Sequence, residues 1–110
     1  MTKLQESSDV MCLLGGKQVP LSAAKPIGDL QWRERAVIRG RVKALRVQPW
    51  GDAPTLEATV ADETGGLLLV FLGRRTVPGL NLGTKLIAEA MVGEHRNCFA
   101  MLNPAYQFLA

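Results

Sequence analysis

Ala36-Val37-Ile38-Arg39-Gly40-Arg41-Val42-Lys43-Ala44-Leu45-Arg46-Val47-Gln48 is the stretch on which the reading of this chain turns. Successive side chains of a β-strand point to opposite faces, so an alternating run assigns each residue a side. Ala36, Ile38, Gly40, Val42 and Ala44 share one face, and Val37, Arg39, Arg41, Lys43 and Leu45 share the other. An apolar face backed by three cations predicts a half-exposed sheet that offers positive charge to a partner. Gly40 inside the run predicts a bulge or sharp bend, because glycine within a strand commonly marks one.

Four more strands follow. Pro49–Pro54 is rich in turn residues and reads as a loop, with Trp50 near its tip. Thr55–Ala61 alternates again, with Leu56, Ala58 and Val60 inward and Thr55, Glu57 and Thr59 outward. Asp62-Glu63-Thr64-Gly65-Gly66 is a hairpin turn in which glycine supplies positive φ. Leu67–Leu72 is a strand apolar on both faces. Gly73–Gly83 is a connector with room for one helical turn, and Thr84–Val92 is the fourth strand. Gly93–Asn97 turns, Cys98–Leu102 opens the fifth strand, and Asn103-Pro104 interrupts it before Ala105–Leu109. Pro104 has no N–H for a ladder, so it belongs at an edge or bulge.

Residues 1–25 differ in character. A polar start precedes apolar Val10–Leu14 and the Gly15-Gly16 break, which leaves two readings, a short helix up to Leu14 or a disordered extension. Residues 26–110 form the domain proper, entered through Ile27–Leu30 and Trp32–Arg35. Trp32 reads as a packing residue of that entry.

The net charge is +3, from 13 Lys and Arg against 10 Asp and Glu. So small a surplus makes clustering, not total charge, the argument for a polyanionic partner. Aromatic residues are only 5% of the chain, which limits stacking on bases. Cys12 and Cys98 stand far apart, with a single histidine in the chain, so no zinc quartet can be assembled and no metal or cofactor is expected. They read as free thiols in a reducing cytoplasm, Cys98 as a small core residue. No run approaches the roughly 18 apolar residues of a membrane span. A Gly-rich phosphate loop, a nucleophile elbow and a Ser/His/Asp set are all missing, so the expectation is a non-enzyme. His95 has no carboxylate at useful spacing to position it as a base.

Val37-Ile38-Arg39-Gly40-Arg41-Val42, then Leu56 to Leu67 through Asp62-Glu63-Thr64-Gly65, then Val70-Phe71-Leu72, Leu82-Gly83-Thr84-Lys85-Leu86 and Asn103-Pro104-Ala105-Tyr106 together resemble the OB-fold family of the tRNA-anticodon-binding type. The pattern is similar to the wedge domain of a bacterial branch-migration helicase and to small free-standing bacterial OB-fold proteins. It covers the chain from Pro26 to the C-terminus. The resemblance implies an all-β, five-stranded Greek-key barrel whose oligonucleotide surface is the face of its second and third strands with two flanking loops.

Carried onto this chain, Arg39, Arg41, Lys43, Arg46, Arg74, Arg75 and Arg96 would contact phosphates, with Trp50 stacking and Tyr106 as a second aromatic. The implied partner is nucleic acid, DNA in preference to RNA, single-stranded or branched, with low sequence specificity. The outward positions of strands two and three carry neither aromatic nor basic residues. Leu68, Val70 and Leu72 among them suggest an alternative, a protein contact used for homo-oligomerisation or for docking to a larger DNA repair or recombination protein. No membrane partner is expected.

Overall fold

The computed structural model describes residues 10–109, apart from the side chain of Trp50. Eight strands follow one another: β1 (Met11–Leu14), β2 (Lys17–Pro20), β3 (Arg35–Trp50), β4 (Ala53–Ala61), β5 (Gly66–Leu72), β6 (Lys85–His95), β7 (Cys98–Leu102) and β8 (Ala105–Leu109). The main sheet runs β3-β4-β5-β7-β6 and closes on itself through a β3–β6 pairing. β5 and β7 pair in parallel; the other ladders are antiparallel. This is the closed five-stranded Greek-key barrel of OB type, with β8 added along β6.

The long β3 makes closure possible. Its first half, Arg35–Arg41, pairs with β6, and its second half, from Arg41 onward, pairs with β4. One strand therefore belongs to both walls and must coil sharply at their junction. Gly40 sits at that junction because nothing larger fits: a Cβ there would lie 2.6 Å from Val60 Cγ1 and 2.9 Å from the Ala61 carbonyl oxygen. The bulge itself falls three residues later, where Lys43 is the extra residue between Val42 and Ala44.

A bulge shifts the alternation by one, so it reverses which side chains face inward. Ala44, expected inside, is exposed, and Leu45, expected outside, packs against the core. That core is aliphatic, built on Ile38, Val42, Leu67, Leu69, Leu86, Val92 and Met101. The connector after β5 makes no helical turn; its buried Val77 and Leu80 join the same cluster. Tyr106 packs edge-on to Phe71 at 5.6 Å and beside Phe108 at 5.5 Å, so its ring is part of the barrel packing.

The N-terminal expectation is corrected, and the expected break at Asn103-Pro104 is present. Residues 11–20 form a β-hairpin, not a helix, with Leu14 opposite Lys17 across Gly15-Gly16, whose φ values are +58° and +84°. Such a glycine pair suits the two-residue turn of a right-twisted hairpin. Cys12, Leu14 and Val19 cover Ile87 on the outer side of β6. At the other end, Asn103-Pro104 transfers the edge of β6 from β7 to β8. Asn103 holds the exchange point, its N–H donating to the Val70 carbonyl (2.7 Å) and its Oδ1 accepting from Leu72 N–H (3.0 Å). Cys98 is exposed, not a core residue, and Trp32 is 60% exposed instead of packed.

The Asp62 turn ties the approach segment to the barrel. Asp62 Oδ1 accepts from Thr64 N–H (2.7 Å), Thr64 Oγ1 (2.6 Å) and Gly65 N–H (3.0 Å), and Oδ2 accepts from Ile27 N–H (2.9 Å). Burial pushes this carboxyl up, but the donors from Ile27, Thr64 and Gly65 outweigh it and hold the group below its ordinary 3.8. A carboxylate depressed in the folded state stabilises the fold above its unfolded pKa, and that contribution is lost as pH falls through the folded value.

Urea titrations should therefore show Asp62→Asn less stable than the parent at pH 7 by about 2 kcal/mol, with the gap narrowing below about pH 4. An unchanged gap at acid pH contradicts the ionised role. Gly40→Ala should cost about 1–3 kcal/mol through overpacking. Gly66→Ala, whose Cβ would meet nothing nearer than 3.5 Å, should cost clearly less in the same titration.

Candidate functional site

The bulge at Lys43 decides where the positive charge points. Before it, Arg39 and Arg41 face outward by alternation. Without it, Arg46 would face inward. With one residue inserted, Arg46 lies opposite Glu57 and Arg41 opposite Ala61, both on the outer face of β4. Arg39, Arg41, Lys43 and Arg46 are all exposed, and none makes an ion pair with a described residue. They form one row of free cations along β3.

The row runs past two hollows. The first, of about 190 Å³, lies under the β6–β7 hairpin and is lined by Arg46, Glu57, Thr59, Leu68, Arg96 and Cys98. The hairpin turns through Arg96-Asn97, with φ +54° and +66°, so β6 continues to His95 beyond the expected end at Val92. Positive φ suits asparagine but strains arginine. The strained turn folds two side chains onto β4: His95 Nε2 lies 3.4 Å from Glu57 Oε2, and the Arg96 guanidinium Nη1 lies 3.6 Å from Glu57 Oε1. Arg96 Nη2 also donates to Gln48 Oε1 at 3.3 Å.

The second hollow, of about 550 Å³, lies at the other end of β4. Lys25, Arg39, Arg41, Asp62, Glu63 and Lys85 are the charged residues that line it, with Thr64 beside them. Lys25 is occupied by Glu34, with Nζ 2.9 Å from each carboxylate oxygen. That contact, followed by the Gln31 N–H, lowers the Glu34 carboxyl below its ordinary value.

The remaining expected residues are placed as follows. Arg74 and Arg75 are exposed on the turn after β5, which Gly73 N–H anchors to the Pro54 carbonyl at 2.8 Å, so they extend the cationic surface near the β3–β4 tip. That tip is tighter than the loop expected there, since the ladder runs to Trp50 opposite Ala53. The stacking role of Trp50 falls outside the described side chains. Leu68, Val70 and Leu72 do not make an exposed apolar patch: Val70 is 1% exposed and Leu68 half-buried, leaving Leu72 at the surface. Thr55 and Glu57, also expected outward, are buried.

Three features escaped the sequence reading. Lys85 joins the cation row because β6 starts opposite Arg41. Glu57 is a buried acid on the outer wall, and it gives His95 the carboxylate neighbour that spacing along the chain could not show. Trp32 is exposed, with the Arg33 guanidinium 4.9 Å from its ring centroid. Among the described residues, no three His, Cys, Asp or Glu side chains gather as metal ligands.

No known family profile matches the chain, and no curated protein does. Among solved structures it is similar to the crystal structure of the p204 HINb domain, with a TM-score of 0.64 and 15% identity. The match covers 80% of this chain and 48% of that one, so the chain spans about half the length of its structural neighbour. At this identity the likeness is one of fold, and it agrees with the OB-type barrel described above.

Proposed function

We propose that this protein is a non-catalytic nucleic-acid-binding module that holds a single-stranded or branched DNA segment against the outer wall of its barrel, with little sequence preference. The observation that carries this reading is the row of Arg39, Arg41, Lys43 and Arg46, the last brought to the same face by the bulge, with no ion pair to any described acid. From Arg39 to Arg46 the row extends about 20 Å along the strand. Cations spaced along a strand displace counterions condensed on a phosphate backbone, which yields affinity without base readout.

The face around Glu57 contributes differently. Arg96 and His95 are held by a buried carboxylate, so the β6–β7 hairpin offers less net charge than its sequence implies. It forms a side wall to the row, and Arg74 and Arg75 lengthen the row at its other flank. Exposed aromatic surface is scarce, which fits binding governed by charge with limited stacking.

Fluorescence anisotropy of a short oligo-dT against salt tests this reading. With about four phosphates neutralised, the log–log slope should be about −3 for a single strand. Arg39→Gln with Arg46→Gln should flatten that slope by about 1.4 and weaken low-salt affinity about tenfold. Undetectable binding at low salt, or an unchanged slope in the double variant, overturns it.

A further inference from the structure

The larger hollow gathers cations at a place where the fold gains nothing from them. Arg41 and Lys85 are direct partners in the β3–β6 ladder, and like charges facing each other across a ladder are destabilising. Arg39 lies two residues along on the same face and adds a third positive charge. None of the three makes an ion pair with a described residue.

Two acids share the cleft, and neither pairs with these cations: Glu63 makes no ion pair with a described residue. Both oxygens of Asp62 are taken by donors of its own turn and of Ile27. Lys25, by contrast, already has its counter-ion in Glu34. The cleft thus holds three cations that make no ion pair with a described residue, where β3 meets the start of β6. Ala24, Pro26 and Leu109 supply apolar wall. Its volume of about 550 Å³ falls within the usual size of small-ligand sites, roughly 300–1,000 Å³.

We propose that this cleft binds one nucleotide through its phosphoryl group, gripped by Arg39, Arg41 and Lys85, with the sugar or base against the apolar wall. A phosphoryl group fits because its several acceptor oxygens can take a charge-assisted hydrogen bond from each cation, and its charge offsets the repulsion built into the ladder. The nucleotide is either free or the phosphorylated end of a bound strand. The second source rests on the proposed nucleic-acid function, and the first does not.

Amide chemical shifts of the full chain, titrated with thymidine monophosphate and separately with thymidine, test the cleft itself. The monophosphate should move the amides of Gly40, Ala61, Thr64 and Lys85, and thymidine should not. Lys85→Gln should weaken monophosphate binding about tenfold while its melting temperature stays equal to or above the parent's, since the variant removes a like-charge pair. Oligo-dT with and without a terminal phosphate then separates the sources. Tighter binding of the phosphorylated strand, lost in Lys85→Gln, assigns the cleft to strand ends, whereas equal binding of both strands beside a bound monophosphate assigns it to free nucleotide.

No shifts at millimolar monophosphate, with the phosphorylated strand unaffected by Lys85→Gln, overturns the cleft even if oligo-dT binds along β3. Monophosphate binding with no oligo-dT binding at low salt keeps the cleft and removes the nucleic-acid function.

Discussion

One inserted residue, Lys43, sets the chemistry of this barrel's outer wall. β3 must serve two walls of the barrel, and its register with β4 shifts where Lys43 bulges from the ladder. The same insertion turns Leu45 into the core and Arg46 out of it, so a single backbone event completes the apolar interior and aligns the cations outside. Stability and function are coupled at that point: a strand kept in strict alternation would bury an arginine and expose a leucine.

Elsewhere the fold compensates charge carefully. Glu89, buried on the outside of β6, is met by Lys17 at 3.1 Å and Arg35 at 3.5 Å. Glu57 is met by His95 and Arg96, and Glu34 by Lys25. Glu89, Glu57 and Glu34 thus each lie beside a basic side chain, and half-buried Asp62 is met by N–H and O–H donors, as the cost of an unpaired buried charge requires. Arg39, Arg41, Lys43, Arg46 and Lys85 make no ion pair with a described residue, and they fall on one contiguous strip of β3 and the adjoining end of β6. That strip is open to an external anion.

Much of the barrel was legible because its strands alternate and its turns are marked by Gly, Asp and Asn-Pro. The alternation of Thr55–Ala61 and the Asp62 turn translate directly into β4 and its hairpin. The bulge position was not legible: Gly40 looks like the bulge, but its missing side chain serves the close approach of Val60 and Ala61. The N-terminal hairpin was missed because four-residue strands show almost no period, although Gly15-Gly16 between two short runs was the available signal. Of the site, three cations on β3 were visible from spacing alone. Arg46 joins them only through the bulge, and Lys85 only through a register set by barrel closure across a long stretch of sequence. The burial of Glu57 and Val70 depends on how the β6–β7 hairpin and β7 lie against β4 and β5, which no local pattern encodes.

The central claim is that nucleic acid lies along the bulged strand on the outer wall. Ultraviolet crosslinking of oligo-dT to the full chain, followed by peptide mapping, addresses it most directly. Crosslinks should concentrate in the peptides covering Arg39–Gln48 and Glu94–Cys98. Crosslinks confined to Met11–Leu14, or to Trp32 and Met91, would place the ligand on another surface and contradict the account.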